Sequence, residues 1–395
     1  METVDVLVVG GGLAGLHTAR LLASRGLEVL AVERRASLDT GIRTTGIFVR
    51  RTLDDFDVPR RLLGPGIRDV VLYPPSRRSP VRLRSDRDEF RVADMGRVYA
   101  HAMAAARRVG ARVRLGVRYV GRDPDGLVHL ARGSRMSTVA TRFVVGADGA
   151  HSRVARDLGL DVNRRILVGA ELVYPVSPSA GAAPAFHCVI DPRLAPGYLA
   201  WVVNDGRHAH VGLAGYPDRM RRGLRALLED FAASAPILPT PAVQAPAIPA
   251  PTGPVQRRGG PIPVGGVLRR IVCREGLLVG DAAGAVSPLT AGGLDPCLRM
   301  SELAADVIDR YLRSGDPSAL WGYDGGAMRA RFRGRLLMRR AIGAVRSPAA
   351  AEAAVALLRT APGRAAAARI LFGDGSFPET SVIVAGGRPL SAAEP

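Results

Sequence analysis

The chain has 395 residues, 47% hydrophobic and 5% aromatic, which suits a sizeable buried core and excludes a disordered chain. Its formal net charge is +19, but every basic residue is arginine, a bias that goes with abundant alanine, glycine and proline in GC-rich coding sequence. Aromatics this sparse do not give the basic, aromatic-studded surface of a nucleic-acid binder, and no nucleic-acid partner is expected.

The first predicted strand, Val4 to Val9, runs into Gly10-Gly11-Gly12-Leu13-Ala14-Gly15. A helical stretch (His17 to Arg25) follows, then a second strand, Leu27 to Val32, closing on Glu33. Strand, glycine turn, helix, strand and acid together form a dinucleotide-binding fingerprint. Gly10 permits the turn, Gly12 lets backbone approach a pyrophosphate, and Gly15 lets helix and strand pack closely. The helix N-terminus offers free amides to phosphate, and Glu33 stands where a ribose diol would donate to it.

Residues 67 to 92 read as short basic strands, including Val70 to Tyr73 and Val81 to Leu83. A helix is predicted from Arg97 to about Val109. Phe143 to Gly146 is a strand ending in Ala147-Asp148-Gly149, followed by a basic helix start. From about Asn163 to Arg269 the chain makes a second excursion, with a strand at Trp201 and an extended crossing from Pro236 to Pro254 that holds seven prolines in nineteen residues. His208 and His210 alternate on a predicted strand, where a solvated face is expected rather than a metal site. His187 beside Cys188 could face a pocket.

Gly276 to Val279 is a third strand leading into Gly280-Asp281, then Gly284, Pro288 and the pair Gly292-Gly293 that opens a helix. An extended FAD needs more contacts than NAD, and this segment supplies them. Asp281 suits ribityl hydroxyls, and the amides at Gly292 and Gly293 suit the pyrimidine edge of a flavin, whose reduced form is negative. Cys297 lies at the start of that helix, where a small packing residue is expected. Met300 to Leu312 keeps helical spacing until Ser314-Gly315-Asp316-Pro317 stops it.

Between Arg329 and Arg369 ten arginines and one acid, Glu352, interleave with apolar residues. These read as helices packed on the dinucleotide domain, or as a face for an anionic membrane surface. Residues 378–395 lack periodicity and are expected to be frayed.

The three glycine segments, in this order and spacing, resemble the superfamily of FAD-dependent aromatic hydroxylases and geranylgeranyl reductases. The resemblance covers the FAD-binding parts of roughly the first 325 residues. It implies an α/β fold: a doubly wound Rossmann-type FAD-binding domain (1–66, 97–162 and 270–325) interrupted by a β-sheet substrate domain (67–96 and 163–269), then a C-terminal helical region (326–377). It implies FAD contacts from Gly10, Gly12, Gly15, Glu33, Asp148, Gly149, Gly280, Asp281, Gly284, Pro288, Gly292 and Gly293, and from Arg97 on the returning helix. Asp148-Gly149 would also lie where NAD(P)H passes. No second G-x-G-x-x-G occurs, so the electron donor, NAD(P)H or another reductant, is not expected to have its own folded domain.

Within the superfamily, Gly284, Pro288-Leu289-Thr290 and Ile262 to Gly266 look like the geranylgeranyl reductase branch. So does Tyr198 to Asn204 followed by Gly212, which resembles that branch's lipid-lining motif and places Tyr198, Trp201 and Gly212 against substrate. In this chain Tyr198 is shifted by one residue and Val203-Asn204 replace Phe-Pro. The branch's cysteine after the second strand is absent; Thr44-Thr45 occupy that region.

The expected activity is FAD-dependent reduction of carbon–carbon double bonds in a polyisoprenoid or similar small apolar molecule. The alternatives are an NAD(P)H-dependent monooxygenase acting on an aromatic or polyketide-type substrate, and a flavin-binding protein without turnover. No motif fixes a catalytic proton donor. No apolar run approaches the roughly 18 residues of a membrane span, the N-terminus leaves no room for a signal peptide, and Cys188, Cys273 and Cys297 lack C-x-x-C spacing. A cytoplasmic enzyme without metal is expected, with contact at the inner membrane face as the further reading of the arginine-rich helices.

Overall fold

The computed structural model describes residues 1–175, 184–235 and 255–373. The proline-rich crossing and the terminal tail lie outside the described residues. The chain opens with β1 (Glu2–Val9), α1 (Leu13–Ala23) and β2 (Val29–Glu33). It continues through β3 (Ile47–Val49), α2 (Arg50–Asp55), β4 (Asp69–Tyr73), β5 (Val81–Arg84) and β6 (Phe90–Val92). Helix α3 (Met95–Arg108) leads to β7 (Arg112–Leu115), β8 (Arg118–Arg122), β9 (Val128–Arg132) and β10 (Arg135–Gly146), and α4 (Arg153–Asp157) follows. Next come β11 (Ile166–Pro175), β12 (Ala185–Val189), β13 (Ala200–Asn204), β14 (His208–Gly215), α5 (Leu224–Ser234) and β15 (Gln256–Pro263). The last elements are β16 (Val272–Cys273), β17 (Gly276–Leu278), α6 (Leu294–Ser314), α7 (Gly325–Ala330), α8 (Arg333–Ala344), α9 (Pro348–Leu358) and α10 (Ala361–Phe372).

Two sheets organise these elements. The first runs β16-β17-β10-β1-β2-β7, with β9 and β8 added beside β10. Its central pairs β17–β10, β10–β1, β1–β2 and β2–β7 are all parallel. Strands buried on both faces need continuous apolar sequence, and Val6 to Val9, Val29 to Val32 and Phe143 to Val145 supply it. Helix α1 packs against α3 and α6 over this sheet. Gly315 closes α6 in the left-handed conformation (φ 72°). This is the doubly wound α/β architecture the sequence implies.

The second sheet has the order β15-β11-β14-β13-β12-β4-β5 and is antiparallel except for β12–β4. Its side chains alternate between two faces. Val71, Tyr73, Val202, Val211 and Leu213 meet Leu227, Leu228 and Phe231 of α5. Val70, Leu72, Trp201, Val203 and Ala214 form the opposite cluster, which also takes Val355 of α9 and Ala367 of α10. The arginine-rich helices therefore do not pack on the dinucleotide domain alone. Phe332 and Leu336 join the first core, whereas α9 and α10 cover the second sheet with Val355, Leu358, Ala367, Leu371 and Phe372.

The close approach of α1 to the end of β1 depends on Gly15, where a Cβ would stand 2.0 Å from the Gly10 carbonyl oxygen. Gly15→Ala should force helix and strand apart and cost ~1–3 kcal/mol or more, read as a lower denaturant midpoint.

Candidate functional site

The β1–α1 turn places backbone, not side chains, at the end of the first sheet. Gly10 has φ 117° and donates its amide to the Val32 carbonyl. A Cβ on it would lie 2.2 Å from the Ala147 oxygen, so the ends of β1 and β10 meet there. A Cβ on Gly12 would meet nothing within 4 Å: it faces open space at the N-terminus of α1. Gly149 is equally open and has φ 89°. Glu33 is buried at the end of β2 and accepts from the Gly11 amide (2.7 Å) and from the amide and side chain of Arg35. Burial opposes its charge, but these donors hold the carboxyl below its ordinary range.

Asp148 caps α4, accepting from the Arg153 (2.7 Å) and Val154 (3.2 Å) amides through Oδ2; Oδ1 is buried without a hydrogen bond among the described residues. Gly280 and Asp281 follow β17. Asp281 is deep in protein yet lines the central cavity, and burial pushes its carboxyl up to about 6. No described side chain or amide donates to that carboxylate. Gly292 and Gly293 line the same cavity at the N-terminus of α6. Gly284 lies outside the cavity wall, turned left-handed (φ 70°) beneath the Gly266 carbonyl. Pro288 is buried behind the wall, and Arg97 is exposed on α3 away from it.

The cavity has a volume of about 410 Å³. Its lining joins Gly12, Gly149, Asp281 and Gly292-Gly293 to the apolar Phe186, Trp201 and Phe372, with the charged Arg43, Arg50, Glu89 and Arg335 among them. Tyr198 and Trp201 both line it. The Tyr198 hydroxyl donates to the Thr290 carbonyl (2.6 Å), and the Arg339 guanidinium lies over its ring at 5.4 Å. Gly212 does not line the cavity: it is cross-strand from Trp201, and a Cβ there would stand 2.3 Å from the indole. The tryptophan lies flat on the sheet because that position is glycine.

A polar group interrupts this apolar wall. Glu171 of β11 also lines the cavity, fully enclosed. Its Oε1 accepts from Thr45 Oγ1 (2.6 Å) and Trp201 Nε1 (3.1 Å). Its Oε2 lies 3.5 Å from Nδ1 of His210 and 3.9 Å from the Arg258 guanidinium. His210 donates from Nε2 to Asp205 Oδ2 (3.1 Å). Burial works against a charge on His210, but Asp205 and Glu171 outweigh it and push its pKa up to about 9. Burial likewise opposes charge on Asp205, yet His210 and two backbone amides hold it down to about 2.

The expected solvated face for His208 and His210 is thus corrected. His208 is partly exposed, but His210 is 2% exposed because β14 runs between β11 and β13, and the wall side of β11 carries its counter-ion. Sequence reasoning missed Glu171. The available signal was one acid inside an otherwise apolar strand. His187 is also buried, bonded to the Tyr73 hydroxyl (3.0 Å), and burial lowers its pKa to about 4. Cys297 is buried, which raises its thiol well above the ordinary range. Among the described residues no group of three or more His, Cys, Asp or Glu is placed to hold a metal ion, and no helix is long and apolar enough to cross a membrane.

A glycine-walled dinucleotide site opening directly onto an apolar cavity is the arrangement of a flavin-dependent oxidoreductase. Residues 3–186 match the FAD binding domain, and the open backbone at Gly12 and Gly149 and the unpartnered Asp281 carboxylate fit that cofactor. A digeranylgeranylglycerophospholipid reductase of Methanopyrus kandleri is 30% identical over 334 residues, covering 80% of this chain and 83% of that protein. A second, of Methanothrix thermoacetophila, is 28% identical over 330 residues, 79% of each. The crystal structure of a geranylgeranyl bacteriochlorophyll reductase-like protein from Thermoplasma acidophilum superposes with a TM-score of 0.77 at 23% identity, covering 94% of this chain and 100% of that one. The chain belongs to the geranylgeranyl reductase family of FAD-dependent oxidoreductases.

The His210 pairing has a measurable pH signature. The group holds its proton to about pH 9 in the fold and to its ordinary 6.5 when unfolded. Its stabilisation is therefore complete below about pH 6.5 and is lost as pH rises through about 9, on the order of 3 kcal/mol. Urea midpoints measured on either side of that window should fall for the wild type, and fall less for Glu171→Gln.

Proposed function

We propose that this enzyme saturates carbon–carbon double bonds of a polyisoprenoid lipid, with NAD(P)H or another donor reducing its FAD. The observation that carries this reading is the single cavity that joins the dinucleotide glycines to an apolar wall of Phe186, Trp201 and Phe372. The names of its relatives, reductases of geranylgeranyl chains, support the same substrate class. When bound, FAD supplies a hydride from its reduced ring.

The residues divide the remaining work. Gly12 at the N-terminus of α1 would leave phosphate oxygens access to helix amides. Glu33 is held ionised at the end of β2, able to accept from a ribose diol. Asp281 would accept from ribityl hydroxyls, and the N-terminus of α6 at Gly292-Gly293 favours the negative charge of a reduced flavin. Gly10, Gly15 and Gly284 act through the backbone packing that shapes this frame. Asp148, Gly280 and Pro288 hold its loops, and Arg97, exposed on α3, reaches cofactor only from outside the cavity wall. Tyr198 and Trp201, with Gly212 beneath the indole, would align an apolar chain and exclude water.

Membrane contact would suit such a substrate. Helices α8 and α9 expose Leu337 (61%), Ile342 (36%) and Leu357 (67%) among the exposed Arg333, Arg340, Arg346 and Arg359. This combination favours an anionic lipid surface. Replacing Leu337 and Leu357 together with aspartate should abolish flotation with anionic vesicles while leaving the FAD content unchanged.

Asp281 ties cofactor affinity to pH. With its carboxyl at about 6 in the free protein, a ligand that donates to the ionised form binds more tightly as pH rises through that value. FAD affinity followed by flavin fluorescence should rise across about pH 5 to 7 and flatten in Asp281→Asn. Turnover is tested anaerobically: photoreduced enzyme is mixed with digeranylgeranylglycerophospholipid in detergent micelles. The reading predicts return of the oxidised flavin band without oxygen and a lipid heavier by two hydrogens per reduced bond. A flavin that stays bleached until air enters, with oxygen found in a product, would support a monooxygenase instead.

A further inference from the structure

Hydride addition to an alkene leaves a second carbon that needs a proton, and beside Trp201 the cavity lining carries Thr45 hydrogen-bonded to the buried Glu171. Resting on the reductase reading above, we propose that Thr45 delivers this proton, and that Glu171, His210 and Asp205 form the path that replaces it from solvent. The groups come from the loop before β3 (Thr45), from β11 (Glu171) and from the β13–β14 hairpin (Asp205 and His210), yet form one continuous line. Thr45 and Glu171 line the cavity, 2.6 Å apart through the hydroxyl and Oε1. His210 stands 3.5 Å beyond Oε2, and Asp205 3.1 Å beyond His210. The line ends near solvent, with the Asp205 side chain 14% and the adjoining His208 38% exposed.

Two features separate this line from a structural ion pair. Glu171 Oε2 and His210 Nδ1 are both buried and neither has a hydrogen bond among the described residues. They are aligned but incompletely bonded, which suits transfer better than it suits stability. Second, a buried ion pair contributes little net stability against an apolar pair of the same volume, yet this one is joined through Thr45 and Glu171 to the cavity itself. The charged groups facing His210 are Glu171 on β11, Asp205 and His208 beside its own strand, and Arg258 of β15 behind Glu171. The two carboxylates outweigh the arginine, so the resting proton belongs to His210 at neutral pH.

The balance is simple. The hydride brings both electrons and one hydrogen to one alkene carbon. The Thr45 O–H bond breaks and its proton bonds to the other carbon. His210 Nδ1 gives its proton to Glu171 Oε2, and the carboxyl group turns to bring that O–H to the Thr45 oxygen, which takes the proton as its own leaves. The imidazole is recharged from water on the Asp205 side. The sum is an alkene plus hydride plus proton giving an alkane, with no further reactant.

The test compares Thr45→Val and Thr45→Ser as FAD-loaded, photoreduced enzymes under argon with digeranylgeranylglycerophospholipid in detergent micelles. Thr45→Val should reoxidise about 100-fold more slowly than wild type, the lower range for a positioned proton donor, with FAD content unchanged. Thr45→Ser, which keeps the hydroxyl, should recover most of that rate. Carbon-13 histidine NMR on the same proteins reads the path without substrate: His210 should titrate near pH 9 and shift down by at least about one unit in Glu171→Gln. Equal rates for wild type and Thr45→Val, or a Thr45→Ser as slow as Thr45→Val, would overturn the assignment of Thr45. A His210 that titrates at its ordinary value in wild type, unmoved by Glu171→Gln, would overturn the path. Should wild type itself leave this lipid unreduced, the substrate reading fails, and a His210 that titrates at its ordinary value would still overturn the path.

Discussion

The absence of a side chain at Gly15 is the constraint from which the rest of the molecule follows. A helix and a strand whose backbones come this close can converge with β10 on a single point, where Gly10 touches Ala147. That convergence leaves the free amides of α1 and the turn after β10 facing the same open space. Asp281 and the N-terminus of α6 line that space, and Glu33 stands at the end of β2 behind the turn, bonded to the Gly11 amide. Backbone contact here is a packing solution and a binding solution at once, because a ligand with phosphates needs amides rather than side chains.

The second sheet meets this frame with its concave chemistry already divided. One face is closed by α5, and the other is turned toward the cavity and topped by α9 and α10. Trp201 belongs to that open face, and its orientation is set by a glycine on the neighbouring strand. An aromatic plate lying on bare backbone presents an apolar floor with little freedom to move, which suits a substrate recognised by shape. The Glu171–His210 pair is set into the same floor. Its charge is balanced internally, so the floor carries a protonated imidazole without presenting a net cation to an apolar guest.

The dinucleotide frame was legible in the sequence because its determinants are local. Gly10, Gly12 and Gly15 lie within six residues, and the motif states which positions must lack a side chain. The glycines at 292 and 293 and the acid at 281 were readable for the same reason, and each lies on the cavity wall. Gly284, Pro288 and Arg97 lie near in sequence but not on that wall, since turn direction and helix phase decide which neighbours face inward. The polar line was illegible. Thr45 and Glu171 are 126 positions apart, and their meeting depends on strand register in one sheet and a loop from the other. His210 looked solvated because alternation assigns a residue to a face without saying which face is covered.

The cavity wall also includes Ile370 to Gly373 at the end of α10, beyond the portion of the chain that builds either sheet. Cofactor frame and second sheet are each built by strand register, whereas this last panel is attached through side-chain packing on α9 and β5, including the aromatic contact of Phe372 with Phe90. Such a panel can be altered by substitution without disturbing the strand register behind it. The room inside the chamber thus depends partly on a helix end whose position is set by side-chain packing and not by the hydrogen-bonded ladders that hold the glycine turns.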